Sequence, residues 1–330
     1  MSKPLIEVKD LKVYFKQKSP KLLSFKPGIL KAVDQVSFSI EKGKTFGLVG
    51  ESGSGKSTIG KAILRYHKPT GGEIFYEGTE IGAMGEKELL PYRKKMQSVF
   101  QDPYSSLDPS HTVQDIICEP MEIHKMYTQK ERKERAKELI RVVGLKEQDL
   151  LKYPHEFSGG MRQRVMIAMA LAQNPSLIIA DEPTTALDVT IQAQIMELMK
   201  EMKEKTGVSI MLITHDMGVV AEMADKIMVM YAGMVIEYAT AREIFKDPKH
   251  PYTKGLLASI PRKDKDIDRL YTIEGTVPSL TSMPKGCRFC DRCTCAMEKC
   301  RNEQPPMYQF GERSVRCFLY EDKGGVSDER

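Results

Sequence analysis

The segment Gly50–Thr58 carries residue types at a spacing that suits binding of a nucleoside triphosphate. Two glycines flank four residues and are followed by a lysine and a hydroxyl residue, which is the phosphate-loop pattern. In such a loop the glycines let the backbone approach the phosphates, Lys56 reaches the β- and γ-phosphates, and the Ser57 hydroxyl binds Mg²⁺. The predicted nucleotide-binding residues here are Gly50, Glu51, Ser52, Gly53, Ser54, Gly55, Lys56, Ser57 and Thr58.

The segments around this loop have the patterns needed to position it. Thr45–Val49 is predicted to be a buried strand, and Ile59–Arg65 opens a helix whose N-terminal amides would face the phosphates. Ile6–Phe15 and Lys31–Ile40 show period-two apolar alternation, which predicts antiparallel strands separated by a loop from Gln17 to Gly28. The loop therefore has the strand-before, helix-after context that the pattern requires.

Elsewhere, short apolar runs alternate with longer helical patterns, which predicts an α/β fold with a mainly parallel sheet. The strand signal fades into helices from Glu86 to Lys152, so a helical subdomain is expected there, with a capping box of Thr128 and Glu131. The 330 residues, 41% of them hydrophobic, suffice for one large domain and an appendage. No apolar stretch approaches the roughly 20 residues of a membrane span, and the N-terminus lacks a signal-peptide pattern, so we expect a cytosolic chain.

A second chemical feature is the apolar run Leu177–Glu182, which ends in two carboxylates. A strand with this ending suits a metal-holding Asp181 and a water-polarising Glu182. Just upstream, Phe157–Arg164 opens a helix at Ser158 with the sequence Phe-Ser-Gly-Gly-Met-Arg-Gln-Arg. Together these segments resemble the ATP-binding-cassette (ABC) ATPases, and the resemblance extends over nearly the whole chain.

The resemblance implies roles for individual residues. Phe15 is similar to the aromatic residue that stacks on adenine, with Tyr14 as the neighbouring candidate, and His215, after the strand Val208–Thr214, resembles the switch histidine on the γ-phosphate. Glu182 resembles the catalytic base. The implied catalytic residues are Glu182, His215, Gln101 and Lys56, and the implied Mg²⁺ ligands are Ser57, Gln101 and Asp181.

The resemblance also implies that two ATP molecules join two subunits. The amides of Ser158, Gly159 and Gly160, at a helix start, would cover the γ-phosphate bound by the other subunit. Asp188, in the loop Ala186–Asp188, resembles the residue that crosses to that subunit. Met161 stands where many family members carry glutamine; because the serine and the glycines remain, we expect ATP hydrolysis.

The C-terminal part narrows the resemblance. Its segments are similar to the tail of ATPase subunits from oligopeptide, dipeptide and nickel importers: His250–Pro261, Val277–Leu280 and Gly286–Phe289. By composition alone, the Pro/Tyr/Thr stretch could be only a linker. The loop Lys18–Leu30 and the segment Gly47–Ser52 resemble the F-type subunit of these importers, whereas Phe157–Met169 resembles the D-type paralogue.

An importer subunit implies a specific organisation. We expect an ABC ATPase domain at residues 1–260, with its helical subdomain at about 86–160, and a Cys-rich region at residues 261–330. The implied partners are a second ATPase subunit, a paralogue in preference to a second copy, two transmembrane permeases, and through them an extracytoplasmic solute-binding protein. The implied location is the cytoplasmic face of the cell membrane, where the chain would be peripheral.

Six of the seven cysteines lie between Cys287 and Cys317. Thiols stay reduced in the cytosol, so this clustering favours a metal site over disulfides. In some of these importer subunits a similar four-cysteine pattern resembles a [4Fe–4S] site, which here implies the ligands Cys287, Cys293, Cys300 and Cys317. Cys290 and Cys295 leave other ligand sets open, structural zinc would suit four thiolates equally, and unmetallated thiols are a third possibility. Every implied nucleotide contact precedes residue 216, so we expect ATP binding to be independent of this region.

Two alternative functions compete with the importer motor. One is a soluble ABC ATPase acting on nucleic acid or ribosomes; the absence of a second cassette, of a long coiled-coil insertion and of a basic stripe argues against it, since the net charge is only +5. We therefore expect no nucleic-acid partner. The other is an ATP-switched scaffold with little turnover, and the presence of both Glu182 and His215 argues against that.

Overall fold

The computed structural model describes residues 3–17, 28–185, 187–260, 272–323 and 325–326. Most of the predicted loop between the first two strands, Ala186, and the start of the Cys-rich region at 261–271 lie outside the described residues. The chain divides into two compact units. The first contains Met1–Ser39, Phe46–Ala83 and Thr214–Arg330, and the second contains Ile40–Thr45 and Met84–Ile213.

The N-terminal part of the first unit contains both strands predicted ahead of the phosphate loop. Ile6 and Val8 are buried, as the alternation predicts, and Leu11 and Val13 are buried after a register shift between Lys9 and Lys12, where Asp10 has φ 46° and the alternation moves by one residue. The four-stranded sheet has the order β2-β1-β4-β5, and β1 is antiparallel to β4. The elements are β1 (Ile6–Gln17), β2 (Gly28–Ile40), β3 (Thr45–Val49), α1 (Lys56–Ile63), β4 (Gly71–Tyr76) and β5 (Thr79–Glu80).

The second unit combines helices with three parallel strands in the order β8-β7-β6. The capping box of Thr128 and Glu131 is present, because the Thr128 hydroxyl accepts from the Glu131 amide. The segment predicted to be helical also contains the short strand β6. The elements are α2 (Glu86–Lys95), β6 (Met96–Val99), α3 (Pro103–Ser106), α4 (Val113–Ile123), α5 (Gln129–Val142), α6 (Gly159–Leu171), β7 (Leu177–Asp181), α7 (Val189–Thr206) and β8 (Ser209–Thr214).

The rest of the first unit adds a β-hairpin and the C-terminal region. The strand β9 is parallel to β3 and antiparallel to β10, and β10 pairs in turn with β12, so the C-terminal region extends the sheet. The elements are α8 (Met217–Met223), β9 (Lys226–Tyr231), β10 (Met234–Thr240), α9 (Ala241–Lys246), α10 (Pro251–Ala258), α11 (Glu298–Asn302), β11 (Tyr308–Phe310), β12 (Arg313–Val315) and β13 (Gly325–Val326). The predicted α/β class, with parallel core strands and antiparallel N-terminal strands, is confirmed.

The Pro/Tyr/Thr stretch is not a linker. Pro251 is the first residue of α10, and the buried His250 caps that helix because its Nδ1 accepts from the Tyr252 amide at 3.0 Å. The buried carboxylate of Glu237 accepts from the amides of Lys249 and His250 at 2.8 and 2.9 Å. Composition alone left a linker open because the signal for this helix is side-chain capping, which composition does not register. Across the described ranges, no helix is long and apolar enough to span a membrane.

Candidate nucleotide-binding site and cysteine cavity

The phosphate loop connects the fully buried β3 to α1 in the first unit. The helix begins at Lys56, three residues before the predicted start at Ile59, so its first amides belong to the loop motif itself. Gly55 caps the helix with φ 99°, and a Cβ there would lie 2.1 Å from the carbonyl oxygen of Ala32. Only glycine fits this position, because both the backbone angle and the close approach exclude a side chain.

Lys56 and Ser54 give the loop polar groups suited to phosphate. The Lys56 side chain is buried and its ammonium donates to the carbonyls of Gly50 and Glu51 at 2.7 and 2.9 Å, so it is held over the loop. The Ser54 hydroxyl is buried and has no hydrogen-bond partner within the described part of the chain. Ser57 lies in the first turn of α1, where a hydroxyl oxygen has the hard-donor chemistry that Mg²⁺ prefers.

Phe15 and Tyr14 differ in how far their rings are engaged. The Tyr14 hydroxyl donates to the buried carboxylate of Asp34, and the ammonium of Lys31 lies 5.3 Å from the Tyr14 ring centre. Phe15 is 37% exposed and meets His67 only edge to face, at 5.2 Å between ring centres. An accessible ring can stack on a base, so the structure favours Phe15 over Tyr14 for that role.

In the second unit, the predicted base Glu182 follows β7 and contacts Gln101. Its Oε2 accepts from Thr185 Oγ1 at 2.8 Å and from Gln101 Nε2 at 3.1 Å, and its amide donates to Ile213 O at 2.8 Å. Glu182 adopts φ 48°, an uncommon left-handed conformation for a residue with a side chain, and such strain concentrates at functional sites. Sequence reasoning brought Gln101 and Glu182 into one site but missed Thr185.

A cleft of about 510 Å³ in the second unit contains the remaining predicted residues of that unit except Asp181, which ends β7. Ser158 caps α6, and its hydroxyl accepts from the Met161 amide at 3.4 Å. Asp188 caps α7 by accepting from the Ile191 amide at 2.9 Å. A Cβ on Gly160 would lie 2.5 Å from a methyl of Ile191, so a larger residue would disturb the junction of α6 and α7. The cleft is lined by Gln101, Tyr104, Ser158, Gly159, Gly160 and Asp188.

His215 follows β8, belongs to the first unit with the phosphate loop, and is exposed. The next residue, Asp216, caps α8 by accepting from the Gly218 amide at 2.8 Å. The histidine is therefore carried on a short turn between a buried strand and a capped helix. This turn fixes its backbone while leaving its ring accessible.

All six C-terminal cysteines line one cavity and are free thiols. Burial raises the pKa of the Cys287 thiol to about 12 and that of Cys317 to about 11, with the neighbouring cysteines adding to both shifts. The amide of Met297 donates to Cys300 Sγ at 3.5 Å. Among the residues that the structure describes, no three His, Cys, Asp or Glu side chains are grouped closely enough to hold a metal ion. The donor chemistry thus suits a thiolate-bound metal, while the ligand geometry is not preformed.

The C-terminal region also contacts the phosphate loop, which the sequence did not suggest. Arg292 Nη1 donates to both carboxylate oxygens of Glu51, at 2.9 and 3.1 Å. The Tyr252 hydroxyl accepts from the Glu51 amide at 2.9 Å. The Arg292 contact joins the Cys-rich region to the phosphate loop, and the expectation that ATP binding is independent of that region stays a prediction.

Comparison with known proteins assigns the chain to a family. Residues 33–185 match the model of the ABC transporter family, and residues 236–300 match that of the oligopeptide/dipeptide transporter C-terminal region. The oligopeptide transport ATP-binding protein AppD of Bacillus subtilis is 48% identical to this chain, and the alignment covers 97% of this chain and 98% of AppD. The chain is an ABC transporter ATPase. As a member of this family of ATP-hydrolysing proteins, it is an ATP hydrolase, for which Mg²⁺ is the general cofactor.

Other relatives agree with this ABC ATPase assignment. AppF of B. subtilis is 46% identical over 96% of this chain and 97% of its own, and the dipeptide transport protein DppF of Haemophilus influenzae is 43% identical over 96% of each. D-type and F-type relatives therefore match to nearly the same degree. Among solved structures, the chain is similar to the ATP-binding cassette MJ0796, solved as a dimer in a post-hydrolysis state bound to ADP and Pi. The two chains are 32% identical with a TM-score of 0.63, and the match covers 72% of this chain and 99% of the MJ0796 chain.

Proposed function

We propose that this ABC ATPase powers import of peptides or a related solute through a membrane transporter. The observation that carries the proposal is that one chain joins a phosphate loop to an oligopeptide/dipeptide transporter C-terminal region. Relatives named for oligopeptide or dipeptide transport match it along nearly their whole length. None of these similarities supports the alternative of an ATPase acting on nucleic acid or ribosomes.

Within this function we assign the phosphate loop to the triphosphate and Phe15 to the adenine. Ser57, Gln101 and Asp181 would hold Mg²⁺, which offsets charge on the phosphates. Glu182 would orient and polarise the attacking water; its hydrogen bonds from Gln101 and Thr185 support this role by fixing the carboxylate.

The remaining assignments concern the γ-phosphate and the subunit contact. His215 would bond the γ-phosphate in the same subunit. The amides of Ser158, Gly159 and Gly160 would cover the γ-phosphate of a second ATPase subunit, and Asp188 would approach that subunit. We infer that the second subunit is a paralogue, that both dock on two transmembrane permeases served by an extracytoplasmic solute-binding protein, and that the chain lies at the cytoplasmic face of the membrane.

We further propose a [4Fe–4S] cluster held by Cys287, Cys293, Cys300 and Cys317, with one zinc ion as the alternative. The support is chemical: the thiols line one cavity, and burial raises the pKa of each of Cys287, Cys293 and Cys317, with charges of neighbouring cysteines adding to the shift. A cation would stabilise the thiolates that burial disfavours. The Met297 amide, which donates to Cys300, supports the same assignment.

The test of the importer proposal is co-purification from membranes. An affinity-tagged chain should bring down two multi-spanning permeases and one further ATPase of similar size. The Ile191→Trp variant, whose larger side chain fills the cleft beside Gly160, should be purified in parallel. It should recover less of the second ATPase while still recovering the permeases. Recovery with ribosomes or nucleic acid and without permeases would support the alternative function instead.

A further inference from the structure

We propose that Arg292 of the C-terminal region raises ATP affinity by neutralising Glu51, the second residue of the phosphate loop. The proposal rests on the assignment of Gly50–Thr58 to the triphosphate. In this proposal the C-terminal region affects nucleotide binding within the same chain. It does so through the positive charge of Arg292, which does not contact the nucleotide.

The contacts of Arg292 hold its guanidinium in one place. Besides the two bonds to Glu51, Nε donates to Glu274 O at 2.9 Å, Nη2 to Ile273 O at 3.1 Å, and Nη1 to the Tyr231 hydroxyl at 3.3 Å. The Arg292 side chain is only 6% exposed, against 28% for Glu51. A guanidinium whose side chain is 6% exposed, and whose three nitrogens each donate a hydrogen bond, forms a directed ion pair with a carboxylate, unlike a mobile surface pair.

The charge of Glu51 explains why the pair is needed. A phosphate loop binds a polyanion, so a carboxylate inside the loop repels the ligand unless a cation compensates it. Lys56 carries the positive charge that the phosphates use, and its ammonium already bonds the Glu51 carbonyl. Arg292 approaches the Glu51 carboxylate itself, so it can cancel that charge without occupying the phosphate position.

A second arginine of the same segment anchors the C-terminal region nearby. Arg288 donates to the carbonyl of Ala232 at 2.6 Å and forms a buried pair with Asp34, which also accepts from the Tyr14 hydroxyl. This anchor is independent of Arg292, so loss of the Arg292 side chain alone leaves the region attached. The charge effect of Arg292 can therefore be measured separately from detachment.

The experiment measures ATP affinity of the full-length chain with a fluorescent ATP analogue and by competition with MgATP. Arg292→Gln should weaken ATP binding about tenfold, which corresponds to a loss of about 1.4 kcal/mol in binding free energy. Adding Glu51→Gln to Arg292→Gln should restore affinity to within about threefold of wild type, because the repelling charge is gone. Arg301→Gln is the matched control, since Arg301 also adjoins a cysteine but is exposed and pairs only weakly, at 4.0 Å, with Asp291.

Two results would overturn the proposal. Affinity unchanged by Arg292→Gln would show that the pair does not affect binding, and a loss that Glu51→Gln fails to rescue would show that Arg292 acts by holding structure. Lys56→Ala in the same assay distinguishes failure of this proposal from failure of the assignment of Gly50–Thr58 to the triphosphate. If ATP affinity is unchanged by Lys56→Ala, the phosphate-loop assignment itself is wrong; if Lys56→Ala weakens binding while Arg292→Gln binds normally, only the role of Arg292 is wrong.

Discussion

Replacement of Glu182 by glutamine should remove most ATP turnover while leaving the fold and ATP binding intact. The carboxylate oxygen Oε2 accepts from Thr185 and Gln101 at 2.8 and 3.1 Å. A glutamine amide oxygen can accept both bonds from the same position, so the change in stability should stay below about 1 kcal/mol. The amide cannot take the proton of the attacking water, however, which is the step assigned to Glu182.

The expected magnitude follows from that lost step. A missing general base typically lowers turnover about 10²-fold or more, equivalent to about 2.7 kcal/mol in the barrier at 1.36 kcal/mol for each factor of ten. Turnover is measured as phosphate release by the assembled transporter, and ATP binding by the fluorescent analogue. Subunits should accumulate as ATP-bound dimers, visible by light scattering.

Glu201→Gln provides the control, because Glu201 is an exposed residue of α7 whose only described ion pair is with Lys205. It should hydrolyse ATP at the wild-type rate. Turnover of Glu182→Gln within about twofold of wild type would refute the assignment of Glu182 as the base.

Three further predictions test other parts of the molecule. Lys56→Ala should weaken ATP binding about tenfold or more, because it removes a charge-assisted contact to the phosphates, and an unchanged Kd would contradict that role. Purified without oxygen, the chain should be brown, absorb near ~400 nm and carry about four irons. Serine at any of the four proposed cysteine ligands should remove this colour, and Cys118→Ser should not. A colourless chain with one zinc ion would support the zinc alternative. The hydrogen bond from Lys152 lowers the pKa of Asp149, against the opposing effect of burial, so its stabilisation is present above about pH 5 and lost as pH falls through the lowered pKa. The gap in urea midpoint between wild type and Asp149→Asn should therefore shrink below about pH 4, and a gap independent of pH would contradict the ion pair.

Local signals in the sequence predicted the elements that carry the nucleotide chemistry. Short stretches of sequence determine the phosphate loop, the strand before it and the Ser158 cap. In each of these, the residues that cause the structure are close neighbours in the chain, so a short segment suffices to predict it. The short strand β6 was missed because its four residues include the partly exposed Gln97 and Ser98 and follow a charged helix. Its strand conformation comes from pairing with β7, which is distant in sequence.

Long-range polar contacts could not be predicted in the same way. Arg292 and Glu51 are 241 residues apart, and nothing in either local sequence specifies the other. Tyr252 lies in the segment His250–Pro261 that resembles importer subunits, yet its hydrogen bond with the Glu51 amide depends on the packing of α10. The cysteines show the opposite case: their spacing predicted clustering, and one cavity does contain all six.

The most direct test of the account is peptide uptake by proteoliposomes that contain the co-purified permeases, both ATPase subunits and the solute-binding protein. Uptake of a labelled peptide should require MgATP on the side that carries the ATPases, and it should fall at least about 10²-fold when this chain carries Glu182→Gln. Uptake that proceeds at the wild-type rate with this variant, or that needs no ATP, would contradict the claim that this chain drives transport.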